Sequence, residues 1–595
     1  MKVPPHRSNL RGRIAIQSPW GLLAVLAILC HGLLLTTDYK IWDGWLVENW
    51  QKNTLFDVMW RHYSEVGVQH HYFVHRIFGI SNHSVWLYKF FSLLCYYGIS
   101  CGFLLLTTRT QLLKLNEALM GAFLILTFPG MLTMGEAAVF PYVLGLFCFF
   151  AAAVCAVESE FRQGAAFWAL HGLAVLLFLL SFTYYALLVY YLAFIFIYLW
   201  FLKEKYAVDS LNQAFRVLLV RCIYFTLPVA FWMFKTRFMD SFGFYSTYNR
   251  PEFVTEKFFA GYRSLLTGTA AHHLTNPCFS LYALIALGVL GWVSAGRFHA
   301  SSWSTSSRNR LLILCGAGVF LLLLGGLPFI LVGRTFEPFG YSTNYSLLVP
   351  IAIGLIFSSL ISFIYSFPIF KKFGWLAQIP FYWILLASLG IWNRNYLHWQ
   401  ALGAKEASVA SKLRADPTTR NYALFLQRDE FRIPLTNVYP TAITSTALQS
   451  VFGERRQLAL EIQLPSAENA PGGAASAGEM PRVFSIQPLG SAMLDRIAQE
   501  TTLPYFFSQI DHAGPQALLV IRPGKGASNP RQIGWEYLGH KLWSGISGEG
   551  MKRFLEGLTE VQVYPLPVLP GSGPRFRYLP AIHSPSGLVP LAAGE

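Results

Sequence analysis

Residues 36–53 read TTDYKIWDGWLVENWQKN, and residues 67–91 read GVQHHYFVHRIFGISNHSVWLYKFF. The first stretch begins where an apolar segment at 19–36 ends, and the second leads into another at 83–106. Nearly fifty residues therefore separate these apolar runs, each of membrane-spanning length. A connection that only turned the chain around would be far shorter. It would need neither Asp38 nor Asp43, two acids placed directly after the first apolar segment. This loop is expected to carry chemistry, and the apolar runs around it set the fold class.

Composition extends that reading. The chain has 595 residues, 54% hydrophobic and 13% charged, with a mean hydropathy of +0.41. Soluble proteins carry about 25% charged residues, so the balance predicts a membrane protein. Aromatic residues reach 16%, which suits interfacial belts and aromatic-lined cavities. The formal charge of +15 reads as positive-inside loops plus a basic tail surface. No basic run interleaves with aromatics in a soluble segment, so nucleic-acid binding is not expected. None of the 8 cysteines falls in a CxxC, and seven lie inside apolar runs, so neither a zinc site nor a disulfide framework is indicated. The basic start MKVPPHRSNLRGR resembles a signal peptide, but no small-residue cleavage site follows Leu33–Thr36; it reads as the tail of a retained first helix.

A span needs about 20 mainly apolar residues. That rule predicts about eleven helices, near 19–36, 83–106, 117–133, 137–157, 165–181, 184–202, 217–235, 279–296, 311–333, 346–367 and 374–392. Basic residues cluster in alternate connections, from Arg7, Arg11 and Arg13 to Lys371 and Lys372, while the turns at 134–136 and 181–184 carry none. The positive-inside rule then places the 1–18 tail in the cytoplasm, splits 165–202 into two helices, and puts the C-terminal part outside. Three outer connections exceed what a turn requires: 37–82, 236–278 and 334–345. The expected location is the inner (plasma) membrane, with the lipid bilayer as the solvent of residues 19–392.

From 393 to 595 the composition changes. WNRNYLHWQALGAKEASVASKLRAD has helical spacing and reads as a helix leaving the membrane. Strand-like runs follow at Ala423–Leu426, Leu458–Leu464, Val483–Ile486, Ala517–Ile521 and Val561–Tyr564, interrupted by a Gly/Ala/Pro-rich linker at 465–481. A small extracytoplasmic α/β or α+β domain with a Pro-rich end is expected. It contains no nucleophile elbow, P-loop or metal-ligand motif.

Asp38 and Asp43 sit at the expected outer boundary. Transfer of a sugar from a polyprenyl phosphate needs a carboxylate to take the acceptor hydroxyl's proton. Carboxylates also hold the divalent ion that such a reaction sometimes uses to neutralise the leaving phosphate. The bland alternative is two solvated acids at a helix end. The following stretch favours chemistry: His70, His71 and Tyr72, then Phe78-Gly79-Ile80-Ser81, then an apolar helix. Leu126-Thr127-Phe128-Pro129 ends the third helix, and Glu136 precedes Pro141-Tyr142. This pattern, over residues 19–157, resembles the GT-C glycosyltransferases, particularly the family 39-like enzymes. The family's DE or DxD pair is Asp-Gly-Trp here, and its His-Pro-Pro is His-His-Tyr.

The resemblance implies an α-helical polytopic GT-C-like membrane protein that moves a sugar from a polyprenyl-phosphate carrier to a glycan, lipid or protein acceptor on the outer face. It implies Asp43 as general base and Asp38 and Glu136 as assisting acids or ligands of a divalent metal ion. His70, His71 and Tyr72 are then expected to contact the substrates. Arg334, in GRTFEPFGYSTNY with Tyr341, would bind phosphate; a snorkelling arginine is the alternative. Arg237, Arg250, Lys257 and Arg263 are weaker candidates of the same kind.

Two other readings compete. His62, His70, His71 and His75 invite a metal, since His71 and His75 share a helix face, but no carboxylate stands at a matching position. An interfacial helix explains the same residues. A polysaccharide polymerase or ligase would lean on Arg250, Arg263 and Arg334. A transporter or scaffold would show ionisable groups at mid-span or paired broken helices; only Lys89 and Arg221 interrupt the spans, both near ends.

Overall fold

The computed structural model describes residues 18–37, 43–52, 54, 56–79, 84–206, 211–242, 253–275, 278, 280–293, 308–339, 341–367, 374–422, 424–431, 433, 458–461, 516–543 and 548–565. Asp38, Arg250, the run Val483–Ile486 and the linker 465–481 lie outside the described residues. The helices, in chain order, are α1 Pro19–His31, α2 Asp43–Lys52, α3 Phe56–Val66, α4 His70–Phe78, α5 Ser84–Arg109, α6 Leu115–Thr127, α7 Phe140–Ser159, α8 Ala165–Phe182 and α9 Ala186–Tyr206. They continue as α10 Leu211–Leu219, α11 Cys222–Phe238, α12 Thr255–Ser264, α13 Leu281–Val293, α14 Arg308–Leu331, α15 Val349–Tyr365, α16 Gly374–Ala415, α17 Pro530–Trp543 and α18 Glu549–Leu558.

Among the described residues, seven helical segments of 18 to 25 residues are long and apolar enough to cross a membrane: Pro19–Thr36, Val85–Arg109, Phe140–Ser159, Ala165–Phe182, Ala186–Tyr206, Val217–Phe238 and Arg308–Leu331. Three shorter apolar helices, Leu115–Thr127, Leu281–Gly291 and Val349–Tyr365, stand where further spans are expected. The last expected segment, 374–392, is the first half of the 42-residue α16, which runs unbroken into the predicted exit helix.

Local chemistry sets several ends. Ser18 caps α1 by accepting the Gly21 amide at 3.0 Å, with Pro19 in the first turn, where its missing N–H costs nothing. The break in 165–202 falls at Thr183–Tyr185, giving two helices as the charge pattern predicts. One expectation needs correcting. The segment 117–133 stops at Thr127 and 137–157 starts at Phe140, so residues 128–139 are a twelve-residue connection instead of a short turn. The physical reason is Pro129: the preceding Phe128 is forced to an extended ψ of 128°, and the helix ends there.

The chain divides into two compact units, 1–36 with 63–395, and 37–62 with 396–595. In the first, α6 is apolar on all faces and packs against α1, α5 and α15. Glycine permits the α6–α15 approach: a Cβ on Gly354 would stand 2.7 Å from Ile125 Cγ1 and 2.8 Å from the Gly121 carbonyl. A clasp at the ends of α7, α9 and α11 holds those helices in place. Glu160 takes two bonds from Arg221, at 2.6 and 2.8 Å, and one each from Tyr198 and Tyr206.

In the second unit, β1 Leu424–Asp429, β2 Leu458–Glu461, β3 Gln516–Pro523 and β4 Thr559–Pro565 form a sheet in the order β2-β1-β3-β4. β1 runs parallel to β2 and β3, and β4 antiparallel to β3. Ala517 to Ile521 is buried without alternation, as befits a strand covered on both faces. Residues 396–415 of α16 are bound into this unit. Lys405 meets Asp429 at 2.5 Å, and Ser408 bonds Leu555 and Thr559.

Candidate functional site

The connection 128–139 is the unusual element of the first unit. Loops normally run over a surface, because buried backbone polar groups need partners. Here Phe128 through Glu136 are all buried. The partners come from distant side chains. Trp392 Nε1 donates to the Thr127 carbonyl at 2.8 Å, and Asn395 Nδ2 to the Leu132 carbonyl at 3.0 Å. Thr343 accepts the Leu132 amide at 3.2 Å, and His31 Nε2 bonds the Leu126 carbonyl at 2.8 Å. Gly130 and Gly135 let the loop lie directly on Pro350 and Leu34, where any side chain would collide. The loop delivers Glu136, 2% exposed, with its Oε1 accepting the Ala137 amide at 3.0 Å.

Immediately after Glu136, Phe140 binds the site to α4 and α5. Its ring lies 5.0 Å from Phe78 and 5.6 Å from Tyr88. The Tyr88 hydroxyl is 2.8 Å from His75 Nδ1. His71, on the same face of α4, meets Tyr63 at 5.4 Å, His70 at 4.4 Å and Tyr142 at 5.1 Å between ring centroids. The His71 and His75 rings stand 6.1 Å apart at 87°. Tyr72 is half-buried, and its ring meets that of the adjacent Phe73. α4 is held at its start by the α3–α4 turn. Gly67, at a φ of 78°, packs on the Met239 carbonyl, and Tyr185 donates to the Gly67 carbonyl at 2.6 Å.

Burial lowers His70 and His75 to about 3, with the neighbouring His70 charge adding to the effect on His75. Both are therefore neutral at physiological pH. His70 Nδ1 and Gln69 Oε1 are buried without a hydrogen bond among the described residues.

No family model, curated protein or solved structure matches this chain. The geometry therefore stands alone.

A chain of rings carries the site from α4 to Arg334. From Tyr142 it passes to Tyr184 at 5.0 Å, to Phe329 at 6.3 Å and to Tyr345 at 5.3 Å. The Arg334 guanidinium carbon sits 5.6 Å over the Tyr345 ring, and the residue is only 9% exposed. The sequence-predicted His70, His71, Glu136 and Arg334 thus share the first unit, and aromatic side chains connect the two histidines with Arg334. Asp43 belongs to the second unit. Asp38 is outside the described residues, and for Asp43 and Tyr341 only the backbone is described; it opens α2 and a 3₁₀ turn respectively. Among the described residues no group of three or more His, Cys, Asp or Glu side chains could hold a metal ion.

Sequence reasoning missed Tyr63, Tyr88 and Tyr184. Tyr88 and Tyr184 stand in aromatic-rich apolar runs and Tyr63 in a mixed amphipathic one, where a tyrosine destined for a polar cluster is indistinguishable from one at a lipid interface. The arrangement offers imidazole N–H donors, tyrosine hydroxyls and a buried guanidinium set in aromatic walls. Those groups suit a sugar ring and an anionic leaving group.

Proposed function

We propose that this protein is an integral membrane glycosyltransferase of GT-C type, taking a sugar from a polyprenyl-phosphate carrier and joining it to a glycan, lipid or protein acceptor on the outer face. The observation that supports it best is the buried loop 128–139, which carries Glu136, in the same unit as the ring path from His71 and Tyr142 to Arg334. A fold that holds an acid in a buried loop by bonds from residues 211 and 263 positions away has a use for its position.

In the proposed reaction the acceptor hydroxyl loses its proton to the Asp43 carboxylate as its oxygen attacks the anomeric carbon. The bond from that carbon to the phosphate oxygen breaks, and its electron pair leaves with the polyprenyl phosphate. Attack from the face opposite the leaving group inverts the anomeric centre. Arg334 stabilises the phosphate as charge grows on it, and Glu136 orients the acceptor; the assisting role of Asp38 rests on the sequence resemblance alone. His70, His71 and Tyr72 contact the sugar.

The same proposal carries eleven spans, a cytoplasmic N-terminus and an outer C-terminal domain in the plasma membrane. Reporter fusions after residues 110, 206 and 430 read the orientation directly; a cytoplasmic signal at 430 contradicts it. Activity is tested in membranes containing equal amounts of each protein. Asp43→Asn should abolish transfer from a labelled polyprenyl-phosphate sugar, and Glu136→Gln should lower it by at least tenfold. Full transfer by both variants would remove the mechanism.

A further inference from the structure

His273 is 2% exposed, and neither of its ring nitrogens has a hydrogen-bond partner among the described residues. A neutral imidazole presents one donor and one acceptor, and buried groups of this kind are almost always paired. Its ring lies 5.9 Å from Phe339, which also meets His272 at 5.3 Å. The guanidinium carbon of Arg394 sits 5.1 Å from the same Phe339 ring. Among the described residues Arg394 forms neither an ion pair nor a hydrogen bond. Cys278 lies directly on α16 because Gly390, one turn before Arg394, has no side chain to block the Cys278 carbonyl.

From this geometry we infer that His272, His273 and Arg394, grouped around Phe339, form a binding subsite for a phosphate anion. A forked guanidinium and two N–H-bearing imidazoles recognise a tetrahedral oxyanion and offer little to a cation. Burial, with Arg394 in the case of His272 and His272 in the case of His273, lowers both imidazoles. Arg394 therefore supplies the fixed charge, and the histidines act as neutral donors. Phe128, at the head of the Glu136 loop, packs on His273 at 5.9 Å, so an anion held here would adjoin the loop described above. The proposal rests on the glycosyltransferase reading only for the carrier of the phosphate.

The test uses the full-length protein in nanodiscs, with undecaprenyl phosphate, undecaprenol and inorganic phosphate as probes. The wild type should prefer undecaprenyl phosphate to undecaprenol, and Arg394→Ala and His273→Phe should each weaken phosphate binding about tenfold or more, the loss of one charge-assisted bond. Undecaprenol binding should stay unchanged and reports that the variants are folded; Arg394→Lys should recover part of the loss. Competition by millimolar inorganic phosphate identifies a site for the free anion, and its failure to compete identifies the lipid phosphate. Unaltered phosphate preference in both variants overturns the inference. Asp43→Asn should retain phosphate binding while losing transfer; loss of transfer alone therefore speaks to the reaction, and loss of binding to this subsite.

Discussion

Asn395 donates its side-chain amide to the carbonyl of Leu132 at 3.0 Å, joining residues 263 positions apart. The bond ties the middle of α16 to the loop that carries Glu136. It makes the loop's shape depend on a region of the chain that is synthesised much later.

Replacing Asn395 by Leu should therefore act on the loop before it acts on the fold. The Leu132 carbonyl would be buried without this donor, at a cost of about 1–3 kcal/mol. A lower thermal midpoint in detergent is expected, with sugar transfer falling more than the melting shift alone accounts for. Thr343→Val, which removes the acceptor of the Leu132 amide, should act in the same direction.

Acid should destabilise the protein through its buried histidines. Burial holds His70, His75 and His273 at about 3 in the folded state, against about 6.5 for a free histidine. Between those values the unfolded chain binds protons that the folded chain does not. Stability is therefore complete above about pH 6.5 and is lost progressively as the pH falls toward 3. Melting curves at pH 7 and 4.5 should show the drop, and His75→Phe should reduce it. An equal drop in that variant would contradict the assignment.

Glycine 390 provides a steric prediction with an internal control. A Cβ there would overlap the backbone carbonyl of Cys278, whereas one on Gly288 would meet nothing. Gly390→Ala should cut the yield of folded protein sharply and disturb the His272–Arg394 group. Gly288→Ala should behave like the wild type in the same size-exclusion profile.

Breaking the Glu160 clasp should be costly for an electrostatic reason. Arg221 is 8% exposed at its side chain and Glu160 fully buried. Glu160→Gln leaves that arginine without its countercharge, a loss of about 3–5 kcal/mol for a buried pair. Thermal stability should collapse in this variant, while Arg109→Ala, at a more exposed pair with Glu158, should change little.

Much of the architecture is legible in the chain itself. Apolar runs mark α1, α5, α8, α9 and α14 because an apolar run of that length has few places to go other than a bilayer. The break at Thr183–Tyr185 is written in the pattern of basic residues. Four of the five strand-like runs became strands, since alternation and β-branching act over a few residues. The fifth, Val483–Ile486, lies outside the described residues.

What the sequence determined by itself was therefore the local organisation: which segments are apolar, where proline stops α6, and that Glu136, His71 and Arg334 stand beside polar connections. Only the tertiary structure decided that residues 128–139 are a buried loop, that tyrosines 63, 88, 142 and 184 adjoin the histidine helix and the ring path, and that His273 and Arg394 share one phenylalanine. The reason is distance along the chain. Hydrophobic runs and caps act between neighbours. A buried carbonyl waiting for a donor two hundred residues away leaves no mark on the residues around it.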